Sequence, residues 1–155
     1  MINERELAKI DSLSGLTLED LKSLSHEFEE LHLSPDNVLI HEGREASGAF
    51  LVLEGHVEVE KLLPGEMERL LVSKVSIGDW VGVVSLIDNK PATATVRAIS
   101  ASRVLAISRL TFSRFVDGDR PVGIRFHRAL LRSVAIQLGR VNQNVLSLRA
   151  AASER

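Results

Sequence analysis

The sequence predicts a mainly β fold with flanking α-helices: a double-stranded β-helix, or jelly roll, with N-terminal helices before it and one long C-terminal helix after it. Three observations point there. From residue 28 to 107 apolar residues recur with a period of two between regular turn signals, whereas residues 1–27 and 108–150 carry a helical period. No helix-length stretch separates the candidate strands, which removes the crossovers that a parallel α/β sheet needs. With 155 residues and 45% apolar composition, the chain can bury one proper core, so 1–155 is read as a single domain.

The opening segment is "MINERELAKIDSLSGLTLEDLKSLSHEF", in which Leu7, Ile10, Leu13 and Leu16 fall at helical spacing. Gly15 divides it into two helices, and Thr17 with Asp20 forms a capping box that starts the second. The strands "VLIH", "AFLVLE", "HVEVEKLL", "ERLLVSKV", "TATVRAI" and "RVLAI" follow, punctuated by "SPDN", "EGREASG", "EG", "LPGE", "IGD" and "DNKP". Within them "IGDWVGVVSLIDNKPATATVRA" reads as a glycine-punctuated strand, a short apolar turn of helix and a Pro-led strand. Ser108 caps "RLTFSRFVD", Gly118 ends it, and Pro121 stands in the first turn of a long helix running to about Arg149.

Along that last helix Ile124, Leu131, Leu138 and Val145 occupy one heptad position, and His127, Val134, Val141 and Leu148 the other. An apolar seam sustained over four heptads suits a partner helix, and a second copy of the chain supplies one. The expectation is a homodimer through Leu131, Val134, Leu138, Val141 and Val145. The competing reading packs the helix across its own barrel.

Composition narrows the function. With 19 basic and 21 acidic residues the net charge is -2, which gives no overall attraction for nucleic acid or an anionic membrane. Without cysteine there is no disulfide framework and no thiolate metal site. The start "MINERELAKI" is too charged for a signal peptide and no apolar run approaches the ~18 residues that span a bilayer, so a cytoplasmic protein without membrane contact is expected. The histidines His26, His32, His41, His56 and His127 include no His-x-His pair; His41 and His56 are the two able to approach across strands. No Gly-x-Ser-x-Gly elbow is present. Neither catalysis, metal nor cofactor is expected.

The order of elements, together with "LIHEGREASGAFLVLEGHVEVE", the hairpin tip "LPGE" and "IGDWVG", resembles the cyclic-nucleotide-binding domain of catabolite-activator-type regulators, kinase regulatory subunits and channels. The resemblance runs from about "LSGLTLEDLKSL" to "VNQNVLSL". In that family the phosphate-binding cassette reads Phe-Gly-Glu, two residues and Leu, then after a loop Pro-Arg, a small residue and Ala-Thr-Val. The glutamate binds the ribose 2'-hydroxyl and the arginine the cyclic phosphate. Carried over by position, the glycine is Gly82, the leucine Leu86 and the proline Pro91, but Val83 stands at the glutamate position and Ala92 at the arginine position.

Both losses weaken nucleotide binding. Ala92 lacks the cationic fork that matches phosphate oxygens, and Val83 sets a branched apolar surface against a hydroxyl that needs an acceptor. At about 1.5–3 kcal/mol for a charge-assisted bond and roughly 1–3 kcal/mol for an unpaired buried group, the loss reaches about 3–6 kcal/mol. Affinity falls on the order of 10²- to 10⁴-fold.

The candidate pocket is therefore Gly82, Val83, Val84, Ser85, Ala92 and Thr93, joined by Asn142 of "RVNQNV", because the resemblance implies base contacts from the long helix. Thr93 and Ser85 retain hydroxyls, and Lys90 or Arg97 are the cations nearest in sequence. Alternation puts Arg97 with Thr93 and Thr95 on the strand face opposite Ala92, Ala94 and Val96. The family's transcription regulators carry a helix-turn-helix after the long helix; here "SLRAAASER" follows it, so direct DNA binding is not expected. The expected function is a non-catalytic ligand-sensing or adaptor module, bound by an unknown small ligand or protein partner. A cAMP or cGMP receptor with compensating contacts, or a ligand-free interaction scaffold, is the alternative.

Overall fold

The computed structural model describes residues 1–118 and 120–154. Three helical pieces open the chain, α1 (Glu4–Leu7), a 3₁₀ turn (Asp11–Leu13) and α2 (Leu18–Ser25), where the sequence predicts two helices. Two caps explain the division. Asn3 accepts from the backbone of Arg5 and Glu6, and Thr17 accepts from Asp20 N at 3.1 Å while the Asp20 carboxylate accepts from Thr17 N at 2.9 Å. These reciprocal bonds satisfy first-turn N–H groups that would otherwise lack acceptors.

Eight antiparallel strands follow: β1 (Glu29–Leu33), β2 (Val38–Ile40), β3 (Gly48–Glu54), β4 (Val57–Leu62), β5 (Arg69–Val75), β6 (Trp80–Val81), β7 (Thr95–Ala98) and β8 (Ser102–Ser108). They form two four-stranded sheets, ordered β1-β8-β3-β6 and β2-β7-β4-β5. β1 is a strand that the apolar pattern does not single out. Its sequence "EELHL" lies at a sheet edge, where charged side chains reach water, and its pairing with β8 from Glu29↔Ala106 to Leu33↔Ser102 defines it.

Period two divides the interior into two cores. On β3, Ala49 and Leu51 face the helices while Phe50 and Val52 face the opposing sheet; on β8, Leu105 and Ile107 take the first side and Val104 the second. The core between the sheets adds Ile40, Val57, Val81 and Val96. α3 (Val83–Asp88) interrupts the second half of the roll.

α4 (Arg109–Val116) and α5 (Pro121–Ser153) close the helical side. The Ser108 hydroxyl caps α4 by accepting from Thr111 N, and Pro121 occupies the first turn of α5. α5 docks through Gly123, Phe126, Ala129, Leu130 and Ser133. Gly123 is required there, since a Cβ would collide with the carbonyl oxygen of Phe115. Phe126 is fully buried in edge contacts with Trp80 at 5.7 Å, Phe115 at 6.2 Å and Phe112 at 6.4 Å between ring centroids.

The first third of α5 thus crosses its own barrel, the reading that competes with the heptad seam. Of the seam, Val134 packs against this core, while Leu131, Leu138 and Val145 remain 51%, 59% and 58% exposed. Among the described residues, no helix is long and apolar enough to cross a membrane.

Candidate functional site: the cassette cavity

Strand β6 delivers the chain to the cassette by pairing Trp80 with Leu51 and Val81 with Phe50. Gly82 then takes φ +85° as the N-cap of α3. A Cβ at this position would lie 2.6 Å from the Gly48 carbonyl oxygen, so glycine is demanded by both the dihedral and the close backbone approach. Asn89 ends α3 at φ +55°, a left-handed position that Asn tolerates. Arg109 secures this end, donating to Asn89 Oδ1 at 3.0 Å and to the Ala46 carbonyl at 3.0 Å. The strand arm of the cassette is clamped through Ala92, whose N–H donates to Arg44 O and whose carbonyl accepts from Gly43 N, each at 2.8 Å.

These elements border an open cavity of about 180 Å³. Gly82, Val83, Val84 and Ser85 form one wall and Ala92 and Thr93 another, so the structure brings six of the seven predicted pocket residues together. Asn142 is not among them. It is exposed, and the α5 residues that border the cavity are Val134 and Gln137. The docking of α5 on Phe126, Leu130 and Ser133 continues one helical row to Gln137; Asn142, five residues on, falls about 140° away around the helix.

Among the described residues, no charged side chain lines this cavity. Val83 and Ala92 are buried against it at 2% and 6% exposure. Its polar side chains are those of Ser85, Thr93 and Gln137. Arg97 turns away, pairing with Glu60 at 3.2 Å and donating to the Asp36 carbonyl at 3.1 Å, as the alternation places it. Lys90 is exposed and outside the cavity lining. A cation at the strand arm of the cassette is Lys61, whose Nζ donates to the Thr93 carbonyl at 3.1 Å. Sequence spacing could not find it, because β4 and the cassette meet only in the folded sheet.

Two contacts hold α5 over the cassette. Gln137 Nε2 donates to the Trp80 carbonyl at 2.8 Å and to Ser133 Oγ at 3.2 Å. Arg140 forms an ion pair with Asp79, whose carboxylate also accepts from Ser76 N at 3.0 Å. Spacing from Phe126 and Leu130 would have pointed to Gln137, had the docked face been known. The Trp80 indole Nε1 is buried without a hydrogen-bond partner among the described residues. His41 and His56 form no metal set: the His56 ring meets Glu58 at 3.2 Å, and among the described residues no group of three metal-ligating side chains converges.

A double-sheet jelly roll that carries a glycine-capped cassette between its strands, and is followed by a terminal helix packed over it, defines the fold class. The family model of the cyclic nucleotide-binding domain matches residues 30–119, and the chain belongs to that family. A cAMP-dependent protein kinase regulatory subunit of Mycosarcoma maydis is 30% identical over 118 residues, covering 73% of this chain and 22% of that protein. The chain thus spans well under half the length of the curated relatives it matches, 22%, 35% and 23% for three of them. Among solved structures, a cyclic nucleotide-binding domain from Methylobacillus flagellatus KT aligns with a TM-score of 0.81 at 20% identity, covering 93% of this chain and 84% of that one. The N-terminal domain of a transcriptional regulator from Streptomyces coelicolor A3(2) aligns with a TM-score of 0.65 at 26% identity, covering 87% and 92%.

Proposed function

We propose that this domain is a non-catalytic sensor or adaptor module that does not bind cAMP or cGMP in the family's usual way and answers instead to another small ligand or to a protein. The observation that supports this reading is the uncharged cassette cavity. A cyclic phosphate carries a full negative charge, and moving it into a cavity lined by Val83, Ala92, Ile40 and Val96 removes its hydration without supplying a cation. The volume of about 180 Å³ lies below the roughly 300–1,000 Å³ of ordinary small-molecule sites. Calorimetric titration with cAMP and cGMP tests it: no saturable heat is expected at micromolar nucleotide, and binding near micromolar overturns the reading.

One observation favours a cyclic-nucleotide receptor with compensating contacts as the second reading. Lys61 sits at the Thr93 carbonyl, where a modest rotation of its side chain would bring an ammonium group to the cassette. Under that reading Lys61→Ala abolishes nucleotide binding. The proposed module acts in the cytoplasm as a homodimer through the α5 seam, of which Leu131, Leu138 and Val145 are exposed.

A further inference from the structure

Beyond the cassette, a second and larger cavity of about 530 Å³ lies along an adjacent face of α5, between that helix, the 3₁₀ turn at Asp11–Leu13 and the Ile77–Asp79 turn. We propose that it is a binding site for a small carboxylate with an apolar body. Its size falls within the range of ordinary small-molecule sites, whereas the cassette cavity lies below it.

The charges bordering it select the sign of the ligand. Lys9, Arg132 and Arg140 face Asp11 and Asp79. Arg140 and Asp79 neutralise one another in their ion pair, which leaves two cations against Asp11. Among the described residues, Lys9 and Arg132 enter no ion pair.

The walls select the rest of the molecule. Ile77 and Ile136 border the cavity while 67% and 51% exposed. An apolar body lying between them would remove these side chains from water, which favours binding in proportion to the area covered. The two cavities share one helix: Ser133, Ile136 and Arg140 face this one, and Val134 and Gln137 face the cassette. A ligand here therefore bears on the same segment that closes the cassette.

Octanoate and its uncharged counterpart octanamide test the proposal on the full chain, with calorimetry for affinity and isoleucine methyl resonances for location. Octanoate is expected to saturate with Kd below about 1 mM, octanamide to bind at least about tenfold more weakly, and Arg132→Glu to weaken octanoate by at least about tenfold without altering the thermal melt. The Ile77 and Ile136 methyls should shift. Absence of saturable binding, equal binding of octanamide, an unaffected Arg132→Glu, or shifts at Ile40 with none at Ile77 and Ile136 would each overturn it.

Discussion

Arg125 of α5 grips Asp20 of α2 through two hydrogen bonds, Nε to Oδ2 at 2.6 Å and Nη2 to Oδ1 at 2.7 Å. Side chains 105 positions apart in sequence thereby join the N-terminal helices to the helix that closes the cassette. Asp20 serves twice, since the same carboxylate completes the Thr17 capping box.

Acid should therefore loosen the helical side of the molecule. Arg125's hydrogen bonds, aided by the Thr17 N–H and opposed by burial, hold the Asp20 carboxyl down at about 2. An unfolded Asp titrates near 3.9, so in the interval between these values the unfolded state binds more protons. The stabilisation is complete above about pH 4 and is lost as pH falls through about 2. Urea midpoints measured from pH 6 downward should fall more steeply in the native chain than in Asp20→Asn, and parallel curves would remove Asp20 from the account.

Restoring the family's charged pair should create nucleotide affinity. Val83→Glu combined with Ala92→Arg supplies an acceptor for the ribose hydroxyl and a fork for the phosphate, each contributing about 1–3 kcal/mol. Affinity for cAMP should rise on the order of 10²-fold or more over the native chain in calorimetric titration. A double variant that folds, by its thermal melt, and binds no better would show that cavity size and α5 placement set the limit instead of charge.

The exposed seam of α5 should carry self-association. Leu138 is 59% exposed at its centre, so Leu138→Glu costs little in the monomer but sets like charges against each other in a dimer. Light scattering should give a dimeric mass for the native chain and a monomeric mass for the variant. An unchanged mass would assign the seam no role.

Phe126 should dominate the docking of α5. It is fully buried between Trp80, Phe112 and Phe115, so Phe126→Ala should destabilise by about 3–5 kcal/mol. Because Trp80 is the chain's single tryptophan, its emission should report the loosening directly. A loss below about 1 kcal/mol would mean that the helix relaxes into the vacated space.

Features that depend on neighbours along the chain are legible from residue order alone. The caps at Thr17 and Ser108, the first-turn Pro121 and the punctuation that separates β2 to β5 all satisfy local backbone demands, so residue type and spacing reveal them. The same holds for Val83 and Ala92, whose positions relative to Gly82 and Pro91 are fixed by a short covalent stretch. β1 was not legible, because an edge strand is defined by its partner β8 and tolerates "EELHL" on the way.

Tertiary structure decided which face of α5 meets the body. A long helix with apolar residues on more than one side offers several docking rows, and the heptad count ranks only one of them. Packing of Phe126 against Trp80 and the close approach at Gly123 chose the row that brings Gln137, and not Asn142, to the cassette. The same choice narrowed the cassette cavity to about 180 Å³ and left one of about 530 Å³ on an adjacent face of the helix. Cavity volume is set by the angle and depth at which distant elements pack, and no local pattern in the chain encodes it.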